Sequence, residues 1–166
     1  MGGSDGRSDR GSIGVLLGLQ LEKNLTSSII LVRWGLFLYP NEFMHYTDLL
    51  IHQIASKLGG ELFVLLKGKS NRDTQKIINQ IIESSESSES NIIEGWSRRF
   101  YPKEYIRFLE MSLGSSDETQ GHILRLLNRT IINSVEKDNF FKGYKDLSIR
   151  ILNFINYLKK KNRIII

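Results

Sequence analysis

The chain has 166 residues, 40% of them hydrophobic, with no cysteine, a formal charge of +5 and a pI near 9.5. That length supports one domain with a real core, and the ordinary apolar content argues against wholesale disorder. The absence of cysteine excludes a disulfide scaffold, a thiolate zinc site and a cysteine nucleophile, and agrees with a cytoplasmic location; the basic excess allows nucleic-acid contact and equally allows a soluble protein with a basic surface.

Residues 1–11, MGGSDGRSDRG, offer nothing to pack and are expected to be mobile. Two apolar runs follow, 13–21 and 29–39, the second interrupted by Arg33 and ended by Pro40. Neither reaches the ~20 apolar residues of a membrane span. Arg7 and Arg10 lend the first run the look of a signal peptide, but no small-x-small cleavage site follows. The segment either packs on the main domain as a short strand or helix, or lies outside it. Helical patterning begins at Met44, in MHYTDLL. The expected organisation is an N-terminal extension, 1–43, in part disordered and upstream of a native start at Met44, followed by a helical domain, 44–166.

In that domain Leu50, Ile51, Ile54, Leu58, Leu62, Leu65 and Leu66 form one helical stripe, with Thr47 as its N-cap. Gly59-Gly60 marks a bend or a close contact within it. A loop at 67–71 leads to a second helix through Ile77, Ile78, Ile81 and Ile82, capped by Ser70 or Asn71. The tract ESSESSES at 83–90 has the composition of a linker or phosphorylation cluster. In its flanks, however, Ser85 and Ser88 continue the apolar face from Ile81 to Ile92 and Trp96, while Glu83, Glu86 and Glu89 fall on the polar side. A closely packed helix is the favoured reading. Serine is a middling helix former, so tertiary contacts must hold this stretch.

Phe100-Tyr101-Pro102 forms a corner. Pro102 suits the first turn of a new helix, and Glu104 its positive end. Tyr105, Leu109, Leu113 and Ser116 restart the periodicity. So short a corner makes the two helices antiparallel, with facing residues whose numbers add to roughly 201. Glu94 then comes level with Arg107, Asn91 with Glu110, and Ser87 with Gly114. A partly buried Glu94–Arg107 ion pair and a close helix approach at Ser87 and Gly114 are expected. The third helix continues through Ile123, Leu124, Leu127 and Ile131, with Gly121 a weak point. A fourth starts near Asp138, where Phe140, Tyr144, Leu147, Ile151, Phe154 and Leu158 alternate at four and three. Lys159, Lys160 and Lys161 complement its negative end. Ile164-Ile165-Ile166 is an exposed tail or an anchor. The fold class is all-α, an antiparallel up-down four-helix bundle.

Asn91-Ile92-Ile93-Glu94-Gly95, Arg98, the run from Lys103 through Arg107 and Phe108 to Leu109, then Gly114-Ser115 and Glu118, resembles the 23S rRNA intervening-sequence protein family, also called the four-helix bundle protein family. The pattern there is close to N-I-A-E-G, K-E-(Y/F)-x-R-F-L and A-x-G-S-x-x-E. The match in order and spacing covers about thirty residues; the remainder from Met44 to Arg163 fits in helix pattern. Ile93 and Ser112 stand where that family usually has Ala, and Leu113 where a basic residue is frequent. The resemblance implies a non-enzymatic bacterial protein encoded within an insert of the large-subunit ribosomal RNA gene, binding RNA, with ribosomal RNA the favoured target. A related bundle family assists the reverse transcriptase of diversity-generating retroelements as pentameric barrels, which implies a homo-oligomer, up to a pentamer.

The residues themselves offer little chemistry. A di-iron bundle needs two Glu-x-x-His motifs; the one present, Glu42 to His45, precedes the helices, and His52 and His122 have no ligand-spaced partners. No serine has a base the sequence can point to, and no phosphate-binding glycine loop occurs. No catalytic residue, metal, cofactor or small-molecule substrate is expected. Asn91, Glu94, Arg107 and Glu118 form either a binding site or, the favoured reading, a polar layer fixing helix register. Arg98, Arg99, Lys103 and Arg107 gather at the corner with Trp96, Phe100 and Tyr101. Cations mixed with aromatics suit phosphates and unpaired bases of RNA; the competing reading is a solvated corner whose aromatics fill the bundle end. Lys159, Lys160 and Lys161, with Arg163, form a second basic cluster. The rival function is a protein-interaction bundle with no nucleic-acid role.

Overall fold

The computed structural model describes residues 45–164. The expected extension 1–43, the start at Met44, and Ile165 and Ile166 lie outside the described residues. A 3-10 turn, Tyr46–Asp48, leads into four helices: α1 (Leu50–Lys67), α2 (Gln75–Ser97), α3 (Pro102–Asn128) and α4 (Ser134–Lys161). α1 packs on α2 and α4, α2 on α3, and α3 on α4, so the four close into a ring. Connections of a few residues make sequence neighbours antiparallel. This is the up-down bundle that the patterning predicts.

Several helix ends differ from expectation, each for a local reason. Thr47 lies inside the 3-10 turn, which the Asp48 carboxylate closes by accepting from the His45 N–H at 3.0 Å, and the α1 N-cap is Leu49. Asn71 does not cap α2. Its Oδ1 accepts from the N–H groups of Asp73 and Thr74, at 2.9 and 3.0 Å, and closes the turn before the helix. α4 starts four residues before Asp138, because Asn133 and Glu136 form a capping box. The Glu136 N–H donates to Asn133 Oδ1 at 2.9 Å, and the Asn133 N–H donates to Glu136 Oε2 at 2.8 Å. Lys69 lies 3.0 Å from the same carboxylate, tying the α1–α2 loop to α4. The backbone bond from Asn133, then Lys69, holds the Glu136 carboxyl below its ordinary range.

The core takes residues from every helix, among them Leu62 and Leu66, Ile81 and Ile92, Leu109 and Ile123, and Leu147 and Ile151, all fully buried. The serine tract is continuous α2, as its flanks predict, and Ser84, Ser85 and Ser88 are buried. Its hydroxyls find partners across the α2–α3 seam. Ser88 Oγ donates to Ser112 O at 3.1 Å and Ser112 Oγ donates to Ser88 O at 2.8 Å. Ser84 meets Thr119 at 2.9 Å, Ser87 meets Ser115 at 3.0 Å, and Ser85 bonds the Tyr144 hydroxyl of α4 at 2.7 Å. Small side chains let the helices approach, and reciprocal bonding removes the penalty of burying their hydroxyls.

The antiparallel register is therefore close to that expected, but the contact face is rotated. Ser112, Ser115, Ser116 and Thr119 line the inside of α3, and Gly114 points out: nothing lies within 4 Å of where its Cβ would stand. The expected close approach at Ser87 and Gly114 is thus replaced by Ser88 against Ser112. On the α2–α3 seam the packing instead uses Gly95, since a Cβ there would lie 3.1 Å from the Tyr105 ring and 3.2 Å from Phe108 Cβ. At Gly59 a Cβ would meet Ser85 Oγ at 3.0 Å while α1 runs on unbroken, which favours a close contact over a bend.

Candidate nucleic-acid interface

The bundle brings both basic clusters to one end. α2 finishes at Ser97, the corner turns through Arg98–Tyr101 hydrogen bonding (Tyr101 N–H to Arg98 O, 2.8 Å), and α3 begins on Pro102 with Glu104 in its first turn. α4 ends beside it. Lys159 Nζ lies 2.8 Å from the Glu110 carboxylate of α3. α4 closes with Ile164 N–H to Lys159 O and Arg163 N–H to Lys160 O, both helix-terminating bonds, with Arg163 at φ 52. That turn folds Ile164 back against the core. A groove of about 490 Å³ results, lined by Tyr101, Pro102, Lys103 and Glu104 from α3 and its approach, and by Asn162 and Ile164 beyond α4.

The side chains at this end divide into two groups. Arg98 and Arg99 are engaged within the protein. Arg98 bonds Glu94 through Nε and Nη2, at 3.1 and 2.9 Å, and lies over the Phe108 ring at 5.7 Å. The Arg99 guanidinium lies over Trp96 at 4.8 Å and Phe100 at 4.4 Å, and donates to Trp96 O at 3.1 Å. Arg99 Nε and the Tyr105 hydroxyl are buried with no hydrogen-bond partner. Burial pushes the Tyr105 hydroxyl well above its ordinary value, with Arg99 opposing. The second group faces outward. Tyr101 is 68% exposed and Phe100 67%, so neither fills the bundle end; only Trp96 does. Lys103 is exposed and has no acidic partner among the described residues. Lys160 is also exposed, and Lys161 lies 6.0 Å from the centre of the Tyr157 ring.

The expected Glu94–Arg107 pair does not form. Glu94 takes Arg98 one turn along its own helix, and Arg107 points to solvent, 3.9 Å from Glu104. An intrahelical partner within reach wins because neither side chain faces the α2–α3 seam. Asn91 likewise turns inward along α2, donating to Ser87 O at 2.8 Å, and Glu118 lies 3.5 Å from His122 Nε2. The polar layer that matches the helices is built of hydroxyls, with Ser115 its one member from the motif residues. Phe108 and Gly95 are packing partners. Asn162, Ile164 and Glu104 are not legible as candidate site residues in the sequence: the first two carry no motif, and the third, although within the family-like run, reads as a helix-end charge.

Two further features bear on chemistry. Among the described residues, no group of three or more His, Asp or Glu side chains is placed to hold a metal ion, and no helix is long and apolar enough to cross a membrane. His52 is buried with Nε2 3.3 Å from Glu89, a pairing between α1 and α2 that the spacing did not reveal.

Neither the curated proteins nor the solved structures provide a match to the chain. The family model described as 23S rRNA-intervening sequence protein matches residues 47–153, from the 3-10 turn to the last third of α4. That span is well over half of the 166 residues and contains the whole corner motif, whereas Asn162 and Ile164 lie beyond it. Four antiparallel helices, the corner residues in the order the motif requires, and a match of this extent agree: the chain belongs to the 23S rRNA-intervening sequence protein family.

Proposed function

We propose that the protein is a non-enzymatic, cytoplasmic bacterial RNA-binding bundle, with ribosomal RNA as its target, acting as a homo-oligomer of up to five copies. The observation that carries this reading is the end of the bundle at which exposed Tyr101 and Phe100, unpaired Lys103 and the Lys159, Lys160 and Lys161 cluster come together. Aromatic faces stack on bases and lysines neutralise phosphates. Arg98 and Arg99 shape the surface and add charge to it.

The test is filter binding at several salt concentrations, with ribosomal RNA fragments and an unrelated RNA. Neutralising Lys103, Lys160 and Lys161 together should weaken binding to every RNA and lower the log–log salt slope by roughly 0.7 per lost contact on single strands. Tyr101→Leu should cost about 1–3 kcal/mol per stacked base and leave the slope nearly unchanged. Absence of salt-dependent binding by the wild type would favour a protein-interaction bundle, which sedimentation of the purified protein would then characterise.

A further inference from the structure

The groove at the basic end has a composition that selects one kind of occupant. Tyr101, Pro102 and Ile164 give it apolar walls, and its volume of about 490 Å³ lies within the ~300–1,000 Å³ of small-molecule sites. A nucleobase matches such a slot, having apolar faces and a polar edge. The base must be unpaired, because a duplex buries that edge in its own pairs. The polar groups then decide which base. Asn162 Nδ2 donates to Leu158 O at 2.8 Å, which leaves its Oδ1 as an acceptor. The Glu104 carboxylate, about half exposed, is restrained among the described residues only by Arg107 at 3.9 Å and also accepts. Lys103 is the cation of the groove and cannot accept. Two acceptors call for two donors on one edge. Guanine presents N1–H and N2–H₂ side by side; adenine and cytosine present a single amino group, and uracil a single imino group.

We propose that this groove takes an unpaired guanine nucleotide of single-stranded RNA. Tyr101 stacks on the base, Glu104 and Asn162 accept from its Watson–Crick edge, and Lys103 meets a phosphate. The proposal rests on the RNA-binding reading above and adds base identity to it. It also concerns this chain in particular, since Asn162 and Ile164 lie outside the span matched by the family.

The experiment is fluorescence anisotropy of the full chain with a labelled oligouridine of roughly eight nucleotides, within the usual range for single-strand sites. Matched strands carry one central guanine, adenine, cytosine or inosine, and each is titrated at several salt concentrations. The guanine strand should bind at least about fivefold tighter than the adenine and cytosine strands, the lower end of discrimination by a bidentate contact. Inosine lacks the 2-amino group and should lose most of that gain. Glu104→Ala, which removes the acceptor, should collapse the guanine-to-inosine ratio, whereas Glu61→Ala, exposed on α1, should preserve it. Salt-dependent binding indifferent to the central base would overturn the guanine groove and leave the RNA reading standing. A guanine preference that survives both Glu104→Ala and Asn162→Ala would also overturn it, by placing recognition elsewhere. No binding by any strand would overturn both readings and leave the groove to an apolar side chain of a protein partner.

Discussion

Gly114→Ala should stabilise the protein, and Gly95→Ala should not. Both glycines lie inside helices, so alanine brings each the same propensity gain of about 1 kcal/mol. At Gly114 nothing opposes that gain, because no atom lies within 4 Å of the added methyl group. At Gly95 the methyl would stand 3.1 and 3.3 Å from the Tyr105 ring and 3.2 Å from Phe108 Cβ. Tyr105 cannot easily yield, being 4% exposed and edge-on to Phe154 at 5.7 Å. Overpacking of that kind costs about 1–3 kcal/mol, so the net change at Gly95 runs from neutral to about 2 kcal/mol of lost stability. For a domain of this size 1 kcal/mol moves the midpoint by about 4 °C. Thermal and urea unfolding followed by circular dichroism, with the urea slope unchanged, would measure both. A Gly114→Ala variant less stable than the wild type, or a Gly95→Ala variant that gains as much as Gly114→Ala, would refute the outward placement of Gly114 and the close approach at Gly95.

Glu94→Ala and Glu86→Ala should differ by less than about 0.5 kcal/mol in the same melts, because the Glu94–Arg98 pair is nearly half exposed. Ser85→Ala strands the buried Tyr144 hydroxyl and should cost about 1–3 kcal/mol, part of which a Ser85→Ala, Tyr144→Phe double variant recovers in a double-mutant cycle. Burial pushes the Tyr144 hydroxyl up to about 12, with Glu89 adding to this and Ser85 opposing. The folded state therefore keeps a proton that the unfolded chain releases near pH 10; stability is full below that pH and falls, on the order of 3 kcal/mol, as pH rises through about 12. Alkaline unfolding curves should show that fall, reduced in Tyr144→Phe but not abolished, because the buried Tyr105 hydroxyl is raised as well. Asn133→Ala should cost about 1 kcal/mol through the lost cap. It should also weaken the acid dependence of stability, since the lowered Glu136 pKa contributes above the ordinary glutamate range and is lost as pH falls through its folded value.

The candidate site is half legible in the sequence. Arg98, Arg99, Tyr101 and Lys103 stand out as candidates because cations and aromatics crowd one short corner, and their proximity in the chain guarantees proximity in space. The division of labour among them was not legible. Arg99 and Phe100 are neighbours in sequence, yet one lies between aromatic rings and the other is two-thirds exposed, which depends on how the corner leaves the bundle. The Glu94–Arg107 expectation failed for a related reason. Register along an antiparallel pair follows from corner length, but the rotation of each helix about its axis depends on which side chains pack, and here the serines took the seam.

Taken alone, the sequence determined four helices, their antiparallel order, the continuity of the serine tract and the family. These are set by apolar residues recurring every three or four positions and by short connections, both of which are local properties. Only the tertiary structure decided that Lys159 meets Glu110, that Asn162 and Ile164 complete a groove with Tyr101 and Lys103, and that Gly114 faces outward. Those contacts join residues roughly fifty to sixty positions apart, or depend on rotation by a fraction of a turn. They are settled by competition among all the buried faces at once, and no single segment of the chain records the outcome.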